Sequence, residues 1–99
     1  MSEDQKYKYT LKEYHNEMLT SFVYGSAKAN PMINKFHKKL VDISGVYQDN
    51  LMLQKVLKRW LMFYAVWQKE KEFTDRFADL FIEFNTLFRR TTCTFLPSC

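Results

Sequence analysis

The side chains of this chain that could do chemistry are few. There are two histidines, His15 and His37, two cysteines, Cys93 and Cys99, and four closely spaced carboxylates, Glu72, Asp75, Asp79 and Glu83. Nucleophilic catalysis needs a thiol or hydroxyl held against a base, with a third group to orient that base. No local pattern supplies this: Cys93 and His37 would meet only by an accident of the tertiary fold. HExxH, CxxC, GxGxxG and the P-loop are all missing from the sequence. With only two glycines, the chain has little from which to build a backbone cradle for phosphate. Each histidine is expected on the polar flank of a helix, exposed to water. The expectation is therefore a protein with no catalytic, cofactor-binding or metal-binding residues, and not an enzyme.

The carboxylates recur three, four and four residues apart, so they share one face of a helix. Like charges at that spacing repel by a few tenths of a kcal/mol per pair. Carboxylates on one helix, with no histidine or loop to complete a cage, make a poor metal site. Cations on a neighbouring helix would relieve the repulsion. If the chain reverses near residue 71, Arg59 falls opposite Glu83, and that ion pair is expected. The alternative is a solvated acidic face.

The basic residues form two groups, Lys35, Lys38 and Lys39 beside His37, and Lys55, Lys58 and Arg59. Joined with Lys28 into one stripe, they could track phosphates, with tyrosines of the N-terminal segment stacking on bases. Three features weigh against this. Acidic residues are interspersed in the same helices. The linking segment GVYQDN is longer than a helix-turn-helix turn. The helix that would enter a groove is strongly apolar. Nucleic-acid association through Lys35, Lys38, Lys39, Lys55, Lys58 and Arg59 is thus the alternative reading. Arg89 and Arg90 close the last helix, where cations suit the negative end of the helix dipole.

Positioning these residues falls to helices. Only two Gly and two Pro occur in 99 residues, with many Leu, Phe, Lys, Glu and Met, which favours an all-α fold. Residues 1–9, with the alternating KYKY, read as an extended arm. Thr10 and Glu13 read as a capping box that opens a first helix over 10–24, with an inner stripe of Leu11, Tyr14, Met18 and Phe22. Gly25 ends it. Asn30 and Pro31 mark the start of a second helix, with Ile33, Phe36, Leu40 and Ile43 inward and Gly45 at its end. Asp49 or Asn50 caps a third helix, whose stripe is Leu53, Val56, Leu57, Trp60, Leu61, Tyr64 and Trp67. A fourth follows with Phe77, Leu80, Phe81, Phe84, Leu87 and Phe88 inward. No Gly or Pro separates the last two. A single helix of about 40 residues would span about 60 Å, so a break over 68–74 is expected instead, with Thr74 as a cap. The tail 91–99, TTCTFLPSC, is expected to be extended or mobile and able to pair with the KYKY arm. Its cysteines read as two free thiols, or as a local disulfide, or as a link between chains.

Composition bounds the rest. One domain over 1–99 is the expectation for this length. The chain carries 46% apolar and 26% charged residues, a net charge of +4 and a pI near 9.1, a balance too mild to select a nucleic acid or an anionic surface. No apolar run is long enough to cross a membrane, and MSEDQKYKYT is too polar for a secretory signal. The rings stand out: nine Phe, six Tyr and two Trp, each with about 150–250 Å² to bury. Residues 60–67, WLMFYAVW, carry no charge over two helical turns. A helix apolar all round must be covered all round. Either helix three is the centre of one bundle, or Met62, Phe63 and Val66, with Trp60 and Trp67, face a second copy. A homodimer is the expectation, since large apolar patches mark interaction sites.

In its length, its Lys/Tyr/Phe-rich texture and its lack of any domain signature, the chain resembles small proteins of unassigned activity from filamentous and rod-shaped viruses of hot, acid-loving archaea. The resemblance spans the whole chain and rests on no motif. It implies an intracellular or virion protein built for heat and acid, in which protonated carboxylates would not repel. The chain departs from it in its five Asn, four Gln, five Met and two Cys, which hyperthermophile proteins tend to avoid, and in lacking Glu enrichment. The sequence thus points to a non-catalytic interaction or structural protein, a homodimeric bundle of about four helices.

Overall fold

The computed structural model describes residues 3–23, 26–70 and 75–95. They form four helices: α1 (Glu3–Val23), α2 (Ser26–Val46), α3 (Leu51–Glu70) and α4 (Asp75–Phe95). Each has 20 or 21 residues, or about 30 Å at 1.5 Å per residue. The molecule measures 38 × 23 × 22 Å, so the helices run along its long axis. α1 lies most closely along α2, and α3 along α4. The bundle is two tight hairpins laid against each other across wider α2–α3 and α1–α4 seams.

The apolar stripes explain this arrangement. Leu11 and Met18 from α1, Ile33, Phe36, Leu40 and Ile43 from α2, Leu53, Val56 and Trp60 from α3, and Phe77, Phe81, Phe84 and Phe88 from α4 are all buried. Rings fill the centre. Phe84 packs edge-on to Phe36 at 5.8 Å and lies 5.0 Å from Trp60 and 5.7 Å from Phe88 between centroids. Phe63 contacts Phe77 at 4.5 Å and Phe81 at 5.0 Å. Tilted and edge-to-face pairs such as these suit the quadrupoles of the rings. Among the described side chains every Phe, Tyr and Trp is buried or half-buried within one chain.

Helix boundaries show which local signals counted. Asn50 caps α3 as expected: its Oδ1 accepts the Leu53 amide at 3.1 Å. Two separate helices replace the possible long one, and residues 71–74, which include Thr74, lie outside the described residues. The four-helix class holds, but the helices reach further than expected at both ends. The arm expected over 1–9 is helical from Glu3 on, and the tail expected over 91–99 is helical through Phe95. Four alternating residues are too few to outweigh the helix-forming Glu, Gln and Lys around them. Strand pairing between KYKY and the tail is excluded for those helical residues, and residues 96–99 lie outside the description.

Thr10, expected as a cap, stands inside α1. Asn30 and Pro31, also expected to start a helix, stand inside α2, which begins at Ser26. Asn30 Oδ1 is buried without a hydrogen bond rather than capping an amide. The early start buries Ala29 completely, and that packing offsets the amide that Pro31 lacks. Gly45 belongs to the last turn of α2 and does not follow it. Gly25 lies outside the described residues.

Candidate functional site

The octapeptide 60–67 divides cleanly. Trp60 and Phe63 are completely enclosed and Trp67 is buried, so these three, expected at an interface, instead face the chain's own core. Two of them find ring partners on other helices, Trp60 on Phe36 at 4.8 Å and Phe63 on Phe77 at 4.5 Å, while Trp67 stacks on Tyr64 of its own helix at 5.6 Å. Val66 is half-buried. Met62 stays 48% exposed, and Leu61 beside it 43%. The helix is thus apolar all round but covered on one side only.

Its polar atoms are met by α2. Trp60 Nε1 donates to His37 Nδ1 at 2.9 Å, and the His37 ring stacks on Tyr64 at 3.8 Å and 9°. The Tyr64 hydroxyl donates to Asn34 Oδ1 at 2.8 Å. Near the end of the hairpin, Gln54 Nε2 donates to the carbonyls of Ser44 and Tyr47. Long polar and aromatic side chains fill this seam because the two helices stand apart. An imidazole that accepts at Nδ1 carries its proton on Nε2. Desolvation lowers the His37 pKa from its ordinary value.

His15, expected on a polar flank, is buried at 3% exposure. Its Nε2 lies 2.6 Å from Asn85 Oδ1 across the α1–α4 seam; because the amide oxygen can only accept, the ring nitrogen donates. Phe88 packs on the imidazole at 4.2 Å, with Phe36 and Phe84 near 5.8 and 5.9 Å. Desolvation lowers its pKa to about 4, the Asn85 bond opposes the shift, and the Arg89 charge adds to it. A signal for this was present. Leu11, His15, Met18 and Phe22 recur at helical spacing, so His15 shares the inner stripe, with Tyr14 half-buried against the core beside it.

The basic residues do not converge. Lys35 turns towards α1, 3.7 Å from Glu17 and 4.8 Å from the Tyr14 ring centre. Arg59 turns the other way, to Glu83 on α4 at 3.2 Å, the pairing expected from the sequence. Lys38, Lys55 and Lys58 are exposed, and Lys39 is half-buried. Among the carboxylates, Asp75, Asp79 and Glu83 are exposed on α4, while Glu72 lies outside the described residues. The Cys93 side chain and Cys99 also lie outside them.

Among the described residues, no three His, Cys, Asp or Glu side chains are placed to share a metal ion. None of the described helices is long and apolar enough to cross a membrane. A depression lined by Glu13, Glu17, Thr20, Ser21 and Met32 lies open to solvent and gathers no histidine or cysteine.

The feature with the character of a binding site is the outer side of the α2–α3 hairpin. The cross-helix bonds from Gln54, Trp60 and Tyr64 set α2 and α3 antiparallel, in a register that puts Val41 level with Leu57 and within a turn of Leu61. Val41 is 41% exposed and Leu61 43%, with Met62 alongside. Val46 and Leu51 are exposed near the hairpin's end. Lys38, Lys55 and Lys58 are exposed on these two helices, against one exposed acid next to the strip, Asp42. The arrangement is an apolar strip with a mainly basic rim, open to solvent. No family model, curated protein or solved structure matches the chain.

Proposed function

We propose that the protein is a non-catalytic interaction or structural protein that works by associating with a second copy of itself. The observation that supports this reading is the apolar strip of Val41, Leu61 and Met62 on the α2–α3 hairpin. The core has taken in the large rings, so these aliphatic side chains remain for a partner. Both described histidines are engaged in holding helices together, which leaves them to structure rather than to proton transfer.

The test is solution mass by light scattering on a sizing column, over a concentration series with reductant present. Wild type is expected to rise above the single-chain mass, and Leu61→Glu to remain at it with an unchanged circular dichroism spectrum. A wild-type mass that stays at one chain at the highest concentration overturns the reading.

Nucleic-acid association is the second reading, supported by exposed Lys38, Lys55 and Lys58 on the same hairpin. It predicts duplex binding that weakens steeply with salt and is lost when Lys35, Lys38, Lys39, Lys55, Lys58 and Arg59 are neutralised. Binding that survives those changes removes it.

A further inference from the structure

A basic-rimmed apolar strip does not suit a copy of itself, because a symmetric pairing would bring lysine rims together. It suits an apolar side chain flanked by acids. The N-terminal half of the outer face of α4 offers this on a small scale: Asp75, Asp79 and Ile82 recur at helical spacing and all are exposed, while Arg89, two turns beyond Ile82 on the same face, is exposed and basic. Ile82 is 61% exposed, more than Val41, Leu61 or Met62. Alone, an exposed isoleucine needs no explanation. Here it stands beside carboxylates whose charge is opposite to that of the strip's rim.

We propose that the occupant of the α2–α3 strip is α4 of a second copy, with Ile82 seated against Val41 and Leu61, and with Asp75 and Asp79 facing the lysine rim of Lys38 and Lys58. The assignment rests on the self-association reading above and adds the partner surface to it. The strip and the Ile82 ridge are different patches on the same chain. Such a head-to-tail contact leaves one strip and one ridge open on every pair, so further copies add until a ring closes or a filament extends. Opposite charges set the register, so high salt weakens the assembly.

Mixing two variants tests this. Leu61→Glu spoils the strip and keeps the ridge. Ile82→Glu spoils the ridge and keeps the strip. Each is expected to run as a single chain by light scattering, with a wild-type circular dichroism spectrum. An equimolar mixture is expected to stop at two chains, because it contains one intact junction and no way to extend. Wild type under the same conditions is expected to pass beyond two.

A second pair of variants guards against a simple folding defect. Asp75→Lys with Asp79→Lys, and Lys38→Glu with Lys58→Glu, are each expected to weaken assembly alone and to restore it when mixed. A mixture of Leu61→Glu and Ile82→Glu that stays at one chain, while wild type assembles, overturns the head-to-tail contact. Wild-type assembly by Ile82→Glu overturns the ridge and leaves self-association standing. A monomeric wild type overturns both.

Discussion

At the scale of single residues, His15 is the side chain whose surroundings most change its chemistry. Its imidazole is held neutral by the phenylalanine rings around it, with a folded pKa of about 4 against 6.5 in the unfolded chain. The unfolded chain therefore takes up the proton first as pH falls. Stability is full above pH 6.5, declines between 6.5 and about 4, and levels off below. At 1.36 kcal/mol per pKa unit, the loss is about 3 kcal/mol. Urea midpoints at pH 7.5 and 4.5 should show this drop, and His15→Phe should show a smaller one. The part that remains is expected to come from His37, whose pKa is also lowered by desolvation. An equal drop in wild type and His15→Phe would assign the loss to other groups.

The inner-stripe position of His15 was legible in its spacing from Leu11 and Met18. What the spacing does not carry is the partner. Asn85 lies seventy residues away on another helix, and nothing local to either residue links them.

At the scale of elements, caps and pairs are worth what their exposure allows. Asn50 Oδ1 meets an orphan amide at the start of α3, so Asn50→Ala should cost about 1 kcal/mol, read as a lower urea midpoint. The Arg59–Glu83 bridge joins α3 to α4 at 3.2 Å, with side chains 41% and 58% exposed. Solvent and salt screen such a pair, and a double-mutant cycle of Arg59→Ala and Glu83→Ala should return a coupling below about 1 kcal/mol. A coupling of several kcal/mol would mean that the pair is buried by something further. Most of the stripes and the α3–α4 reversal could be read directly, because helical periodicity is a local property; Leu61, expected in the inward stripe of α3, is instead 43% exposed, and His15, expected outside, is buried. Starts were read less well. Thr10, Asn30 and Pro31 carry good capping chemistry, yet each stands inside a helix. Packing of the residues before them, such as buried Ala29, carries the helix past the cap.

At the scale of the whole molecule, stability concentrates in one network of rings. Phe84 touches the rings of His15, Phe36, Trp60 and Phe88, which come from all four helices. Phe84→Ala should cost about 3–5 kcal/mol, a large part of the roughly 5–15 kcal/mol that holds a small domain folded. Loss of the cooperative thermal transition in circular dichroism, or a fall in its midpoint of ten degrees or more, is the expected outcome; an unchanged midpoint would mean that the network is not the centre of the fold. The sequence by itself determined the helical class, the inward stripes outside 60–67 apart from His15, the break before α4 and the Arg59–Glu83 pair. All of these follow from periodicity and from charges two facing helices must share. Only the tertiary structure decided which side of an evenly apolar stretch is covered. Along 60–67 every direction offers apolar surface, so periodicity cannot choose. The positions of α2 and α4 enclose Trp60 and Phe63 and leave Leu61 and Met62 outside. The same placement sends Lys35 to α1 and Arg59 to α4, dividing a basic group that had looked continuous along the chain.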